Sequence, residues 1–237
     1  MRITFLAHSG FMIELEGVIL LFDWWKGELP EMTEGKPLLV LVSHHHGDHF
    51  NPAIFRLAQE DRVVRFLLGK DIRLSPAHRA RWGVTEEIRG MCQCVGGFRR
   101  VEPLPGVVVE TLPSTDEGVA FVVECEGRTI YHAGDLHWWH WEGEPDPWNP
   151  DMERHFKEFT APLRGRRFDV GMIPLDSRLE GAADWGMRYL LEAARFDVVL
   201  PMHQWGDFGA TERFVEAWPE FAEQVVKIER EGQAFEV

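Results

Sequence analysis

The chain has 237 residues, 45% of them apolar, so it is long enough to bury a large core. Acidic residues outnumber basic ones 39 to 25, and the net charge of −14 argues against a general nucleic-acid or anionic-membrane surface, which needs clustered Lys and Arg. No apolar run of about 18 residues marks a membrane span, and Met1 to Leu6 leads into strand-like sequence without a signal peptide's cleavage site, so the cytoplasm is the expected location.

Residues 2–7 read as a strand, His8-Ser9-Gly10 as a turn, and Phe11 to Leu15 as a returning strand. Val18 to Phe22 is a buried strand ending at Asp23, and Leu38 to Val42 is a second apolar strand after a polar loop. Pro52 opens a helix running through Ala58. Arg62 to Leu68 reads as a strand, and Ser75-Pro76 starts a helix over 76–81. Short strands are expected across 84–101, around Gly96-Gly97. Val107 to Leu112 is a strand, and Val119 to Glu124 pairs with Arg128 to His132 across Glu126-Gly127. Helices over 152–159 and 182–195 flank a strand at 168–173, and Phe196 to Leu200 forms another strand. Thr211 is read as the cap of a last helix, and 225–228 and 234–237 as short closing strands. No spacer or internal repeat divides the chain, so residues 1–237 are expected to form one domain of two sheets with helices outside.

The cysteines Cys92, Cys94 and Cys125 form neither a zinc spacing nor an even disulfide set, and read as reduced, buried thiols. Ser43-His44-His45-His46-Gly47-Asp48-His49 is the informative stretch. It packs four imidazoles and a carboxylate at the end of an apolar strand. Asp116, Asp135 and His203 also follow apolar runs beside Gly or Pro, and strand ends gathered on one edge are where such folds build sites. Imidazole with carboxylate suits Zn²⁺, Mn²⁺ or Fe, and the lack of thiolate disfavours a closed structural zinc site. An aspartate bridging two such metals would bring the pKa of a bound water near neutrality and supply a hydroxide nucleophile.

His44-x-His46-x-Asp48-His49, Tyr131-His132-Ala133-Gly134-Asp135, Met202-His203 and the early Asp23 occur in the order of the metallo-β-lactamase superfamily, which the chain resembles over residues 3–203. The resemblance implies an α+β fold, a four-layer αββα sandwich of two mixed sheets with metals at one edge. It implies that His44 and His46 bind one metal, that Asp48, His49 and His203 bind a second, and that Asp135 bridges, with Asp48 and Asp135 as the catalytic carboxylates. The family's usual third histidine for the first metal has no counterpart in Pro113-Ser114-Thr115-Asp116-Glu117-Gly118. Either Asp116 replaces it, or that site is weak and one metal rests on Asp48, His49, Asp135 and His203.

His45 is expected to point away, while His8 and Asp23 support the ligands from behind. The tryptophan-rich stretch 136–148 reads as a wall over the metals, with Trp138 and His137 facing substrate and Trp24-Trp25 forming the opposite side. Trp205 adds to the rim, and Arg178, beside Asp176, would anchor an anionic group. The expectation is a metal-dependent hydrolase acting on a small-molecule ester, lactone or phosphoester, with one or two Zn²⁺ ions and Mn²⁺ or Fe as substitutes. The alternatives are a metal-binding sensor or scaffold without turnover and, less favoured in so acidic a chain, a ribonuclease. No nucleic-acid or membrane partner is expected, and a homo-oligomer is compatible with the exposed indoles.

Overall fold

The computed structural model describes residues 1–58 and 62–237. Among them, thirteen strands form two sheets. The first sheet draws on β1 (Arg2–Ala7), β2 (Gly10–Glu14), β3 (Ile19–Phe22), β4 (Leu38–Val42), β5 (Val64–Gly69) and β6 (Cys92–Val95). The second comprises β7 (Arg99–Leu104), β8 (Val107–Pro113), β9 (Val119–Cys125), β10 (Arg128–His132), β11 (Arg167–Pro174) and β12 (Arg195–Met202). A closing strand, β13 (Ala234–Glu236), returns to pair with β1 at the edge of the first sheet.

Alternation along the strands sets the layers. On β3 and β4, Leu20, Phe22, Leu39 and Leu41 face the core between the sheets. Their neighbours Ile19, Leu21, Leu38, Val40 and Val42 join a second core on the outer face. That outer face is covered by a 3-10 helix (Pro52–Leu57) and by α1 (Pro76–Trp82), through Ile54, Phe55 and Trp82. The second sheet is covered by α3 (Trp148–Thr160), which packs on β8, and α4 (Trp185–Ala193), which packs on β11 and β12; α5 (Ala210–Ala217) adds Phe214 to the same core. The order is therefore helix, sheet, sheet, helix, as expected. No helix of the described residues is long and apolar enough to cross a membrane.

Strand direction places the site. β3, β4 and β5 are mutually parallel, as are β10, β11 and β12. β1 lies two antiparallel steps from β3, and β8 two from β10, so each shares its sheet's direction. The residues that follow these strands emerge at one edge.

Several local expectations change. The segment after Pro52 is a 3-10 helix capped by Asn51, whose side chain accepts from Ala53 N at 2.9 Å. Residues 86–90 form α2 (Glu86–Gly90), not strand: Thr85 caps it and Glu86-Glu87 sit in its first turn. Thr211 is not a cap; it lies buried inside α5, where its hydroxyl accepts from Gln204 Nε2 at 2.9 Å. The 182–195 helix is shorter, because a 3-10 turn (Ser177–Ala182) precedes α4 and β12 begins at Arg195. Val225 contributes only an isolated bridge to Val199 in place of a strand. All three thiols are free, but only Cys125 is buried; Cys92 is half-buried and Cys94 exposed.

Gly118 shows how closely the sheets meet at the site. It has φ +71°, and a Cβ there would lie 2.0 Å from Ser43 O. Gly118→Ala is expected to cost more than ~2 kcal/mol in urea unfolding, from strain and clash together. Gly90→Ala, in open space on α2, should be neutral or stabilising by up to ~1 kcal/mol.

Candidate metal centre

Ser43, at the end of β4, is the hub. Asp23 follows β3 and is fully buried. Its Oδ1 accepts from Ser43 N (2.7 Å), and its Oδ2 accepts from Ser43 Oγ (2.6 Å) and His49 Nδ1 (2.8 Å). Because the Ser43 hydroxyl gives its proton to Asp23, it accepts from His44 Nδ1 at 2.9 Å. Across the cleft, Asp176 follows β11 and its Oδ2 accepts from His203 Nδ1 at 2.8 Å. These bonds place a proton on Nδ1 of His44, His49 and His203, so Nε2 is the atom each would present to a metal. A carboxylate behind an imidazole is the usual support of a metal-ligating histidine.

The three Nε2 atoms converge on Asp135, which follows β10. His44 Nε2 lies 3.6 Å from its Oδ2; His49 and His203 Nε2 lie 3.0 and 3.4 Å from its Oδ1. Asp135 thus turns one oxygen to each of two groups. In one, His44, His46, Asp116 and Asp135 each offer a donor atom within 4.8 Å of the others; in the second, His8, Asp48, His49 and His203 do the same. The Nε2 atoms of His8, His44, His49 and His203, together with Asp135 Oδ1, are buried without a hydrogen-bond partner among the described residues. Imidazole nitrogens and carboxylate oxygens crowded together need positive charge among them; a proton on His49 supplies part of it in the metal-free chain, and a divalent metal fits the donor set in its place.

The sequence expectations divide here. The structure brings together His44, His46, Asp48, His49, Asp116, Asp135 and His203, with Asp116 Oδ2 3.4 Å from His46 Nδ1. His45 turns outward to Asp71 and Glu117, each at 3.0 Å. Asp23 lies behind the donors, bonded to His49 Nδ1, whereas His8 lies among them. His132 is held in the core by Ser9 O and Gly134 N and stacks on Phe22.

Trp138 and His137 do not line the cleft. Trp138 packs against Phe156, Trp185 and Tyr189 beneath Lys157, and His137 is sealed against Trp139 and Phe156. The irregular segment after Asp135 turns these two side chains toward α3 and α4, and Trp139 and Trp141 toward the cleft. Trp139, Trp141, Trp148, Met152, Trp205 and Arg178 line a cleft of about 390 Å³ that reaches His46, Asp48, Thr115, Asp116, Asp135 and His203. Trp24 packs with the outer core of the first sheet, and Trp25 flanks His8, so neither forms the far wall. Arg178 grips Asp176 through Nε and Nη2 (2.9 and 2.5 Å) and stacks its guanidinium on Trp205, 4.5 Å away. Sequence reasoning missed Ser43 as hub, although a small hydroxyl residue directly before the first histidine was a readable signal.

Charge follows from this packing. Burial opposes ionisation of Asp135 and Asp23, but the surrounding imidazoles hold Asp135 well below, and Asp23 below, the usual carboxylate range. Burial likewise opposes ionisation of Asp48, and His8 and His49 beside it hold its carboxyl low. Burial pushes His8, His44 and His137 down to about 4, and lowers His132 too. His49 is the exception: burial disfavours its charge, but Asp135 and Asp23 on either side raise it well above its ordinary value.

The sign for stability is fixed. Below about pH 6.5 the unfolded chain protonates His8, His44, His132 and His137, while the folded chain does not until about pH 4 for three of them. Stability therefore falls with pH across that window, by ~1.4 kcal/mol per pH unit for each such group. The contribution of His49 is complete below its unfolded value and is lost only as pH rises through its raised one. Metal-stripped protein should show a steep drop in Tm between pH 6.5 and 4; a flat Tm would mean these imidazoles accept protons in the folded state.

Comparison with known proteins agrees with this geometry. Residues 2–142 match the model of the beta-lactamase superfamily domain. A protein of Pelotomaculum thermopropionicum described as a UPF0173 metal-dependent hydrolase is 32% identical over 153 residues, covering 57% of this chain and 62% of that protein. The chain thus spans less than two thirds of that relative's length. A Methanopyrus kandleri protein of the same description is 28% identical, with both chains covered completely. Among solved structures, Igni18, described as a metallo hydrolase from Ignicoccus hospitalis, matches with TM-score 0.63 and 18% identity over 100% of this chain and 98% of its own. CmlA, described as a diiron beta-hydroxylase from Streptomyces venezuelae, matches with TM-score 0.65 and 13% identity over 100% of this chain and 54% of its own. At these identities the structural matches speak to the fold alone. The chain belongs to the beta-lactamase superfamily and has the metallo-β-lactamase fold.

Proposed function

We propose that the protein is a metal-dependent hydrolase of small esters or lactones that carry an apolar or aryl group. The observation that carries this reading is Asp135, which turns one oxygen to each of two donor groups at the floor of an indole-lined cleft. A divalent metal held there supplies Lewis acidity and makes water a nucleophile at neutral pH. His203 and His49 are held by Asp176 and Asp23 in the tautomer that binds metal. Asp48 lines the cleft in its ionised form, so a free oxygen can accept a hydrogen bond from the attacking water and orient it.

The three imidazoles of the second group suit Zn²⁺, whereas Asp116 makes the first group harder and more hospitable to Mn²⁺ or Fe. Trp139, Trp141, Trp148, Met152 and Trp205 give the cleft an apolar surface for an acyl or aryl body. Arg178 is its one Lys or Arg among the described lining residues, and it is already gripped by Asp176. A phosphodiester would meet several carboxylates and one spent cation, which favours the neutral carbonyl substrate. The chain is acidic overall, and among the described residues this cleft has a single Arg and no Lys to meet a nucleic acid.

One observation favours a second reading, a metal-dependent sensor without turnover: His46 and Asp116, half of the first group, are about 40% exposed and bind metal loosely in that reading. Metal analysis and a substrate panel separate the two. The expected result is two metals per chain, turnover of nitrophenyl esters and lactones, and at least ~100-fold slower turnover of bis-nitrophenyl phosphate. Bound metal with no turnover of any class, even after Mn²⁺ or Fe²⁺ loading, would establish the sensor. Asp116→Ala should lose one metal of two and most activity, whereas retention of both would reduce Asp116 to a turn residue.

A further inference from the structure

His8 occupies a position the ordered histidine motifs do not foreshadow. It follows β1, on the first sheet, yet its ring centroid lies 4.1 Å from that of His203, which follows β12 on the second. The backbones are tied as well, because His203 N donates to His8 O at 3.2 Å. His8 has φ +56°, a left-handed conformation that costs a histidine on the order of 1–3 kcal/mol and that aims its ring inward. Trp205 packs on the ring at 4.5 Å and Trp25 at 6.5 Å, closing it off.

A residue that only supported Asp48 would direct an N–H at it. His8 Nε2 lies 3.3 Å from Asp48 Oδ2, a close ionic approach, yet it is buried without a well-formed hydrogen bond among the described residues. His8 also offers a ring nitrogen to one tight group with donors of Asp48, His49 and His203, all within 4.8 Å of one another.

We propose that His8 is itself a metal ligand, so that the second group binds its metal through His8, Asp48, His49 and His203, with Asp135 as the shared fifth residue. The inference rests on the metal-binding part of the proposed function and not on turnover. It makes the two metals unequal. With three imidazoles and two carboxylates to hold it, a metal in the second group would keep fewer positions for substrate, although Asp48 and His203 also line the cleft. The first, on His44, His46, Asp116 and Asp135, has its exposed ligands at the cleft and keeps positions open there. The second metal then anchors the two sheets and the first meets the substrate.

The test uses the full chain with His46→Ala and Asp116→Ala, which weakens the first group, loaded with one equivalent of Zn²⁺. X-ray absorption should count three imidazoles per zinc. Adding His8→Asn, chosen because Asn tolerates the left-handed backbone, should lower the count to two and weaken zinc binding at least ~10-fold by titration. Two imidazoles in the His8 chain would overturn the proposal and leave His8 a neighbour of Asp48. If the His8→Asn chain fails to fold by circular dichroism, the count in the His8 chain decides alone. Failure to bind any zinc in that folded chain would sink the metal reading of this group itself, an outcome distinct from zinc bound by two imidazoles.

Discussion

The carboxylate of Asp23 is the constraint on which the site depends. An ion of this kind, with no access to water, costs several kcal/mol to bury unless every lone pair finds a donor. Ser43 and His49 supply those donors, and only one placement of β4 beside β3 lets them do so. Ser43 O in turn accepts from Val119 N at 3.1 Å, at the start of β9 in the opposite sheet. Gly118 and Gly134 approach Ser43 so closely that neither leaves room for a Cβ. The network that fixes two imidazole tautomers thus also fixes the distance between the sheets, and the metal centre and the fold are specified by the same few atoms.

The strands were legible because their chemistry repeats. Runs such as Leu38 to Val42 are buried on both faces, and the polar residues that follow within a few positions, Asp23, His44, Asp135 and His203, mark where the chain leaves the sheet. What could not be read was anything decided by direction within a loop. Trp138 and Trp139 are adjacent and alike in sequence, yet one packs under Lys157 and the other donates its indole N–H to Asp135 O at 3.0 Å. No periodicity separates them, because 136–147 is neither helix nor strand. The same applies to His8, whose reach across the sheets comes from one positive φ. By contrast, α2 is legible: Thr85 before two glutamates is a cap followed by first-turn acids, the usual start of a helix.

Strain gathers where the donors gather. His8, Asp23, His203 and Trp205 all have φ between +40° and +65°, at the ends of strands that converge on one edge. Such conformations survive because the surrounding hydrogen bonds over-determine them: Asp23 is held by Ser43 and His49, and His203 by His8 and Asp176. The aromatic rim adds rigidity, since Trp205 packs on His8 and His203 and carries the guanidinium of Arg178 on its face.

The grip of Asp176 on Arg178 has a consequence for how a reaction in this cleft would end. Opening an ester or lactone turns a neutral molecule into a carboxylate. A cation free to grasp that new charge would hold the product and slow the next cycle. Here the cation is already engaged from behind, and Asp48 and Asp116 face the same space. The indoles would hold the neutral reactant through its apolar body, and Arg178 would add little grip on the anion that replaces it, so release of product would be decided at the metal donors and not at this cation.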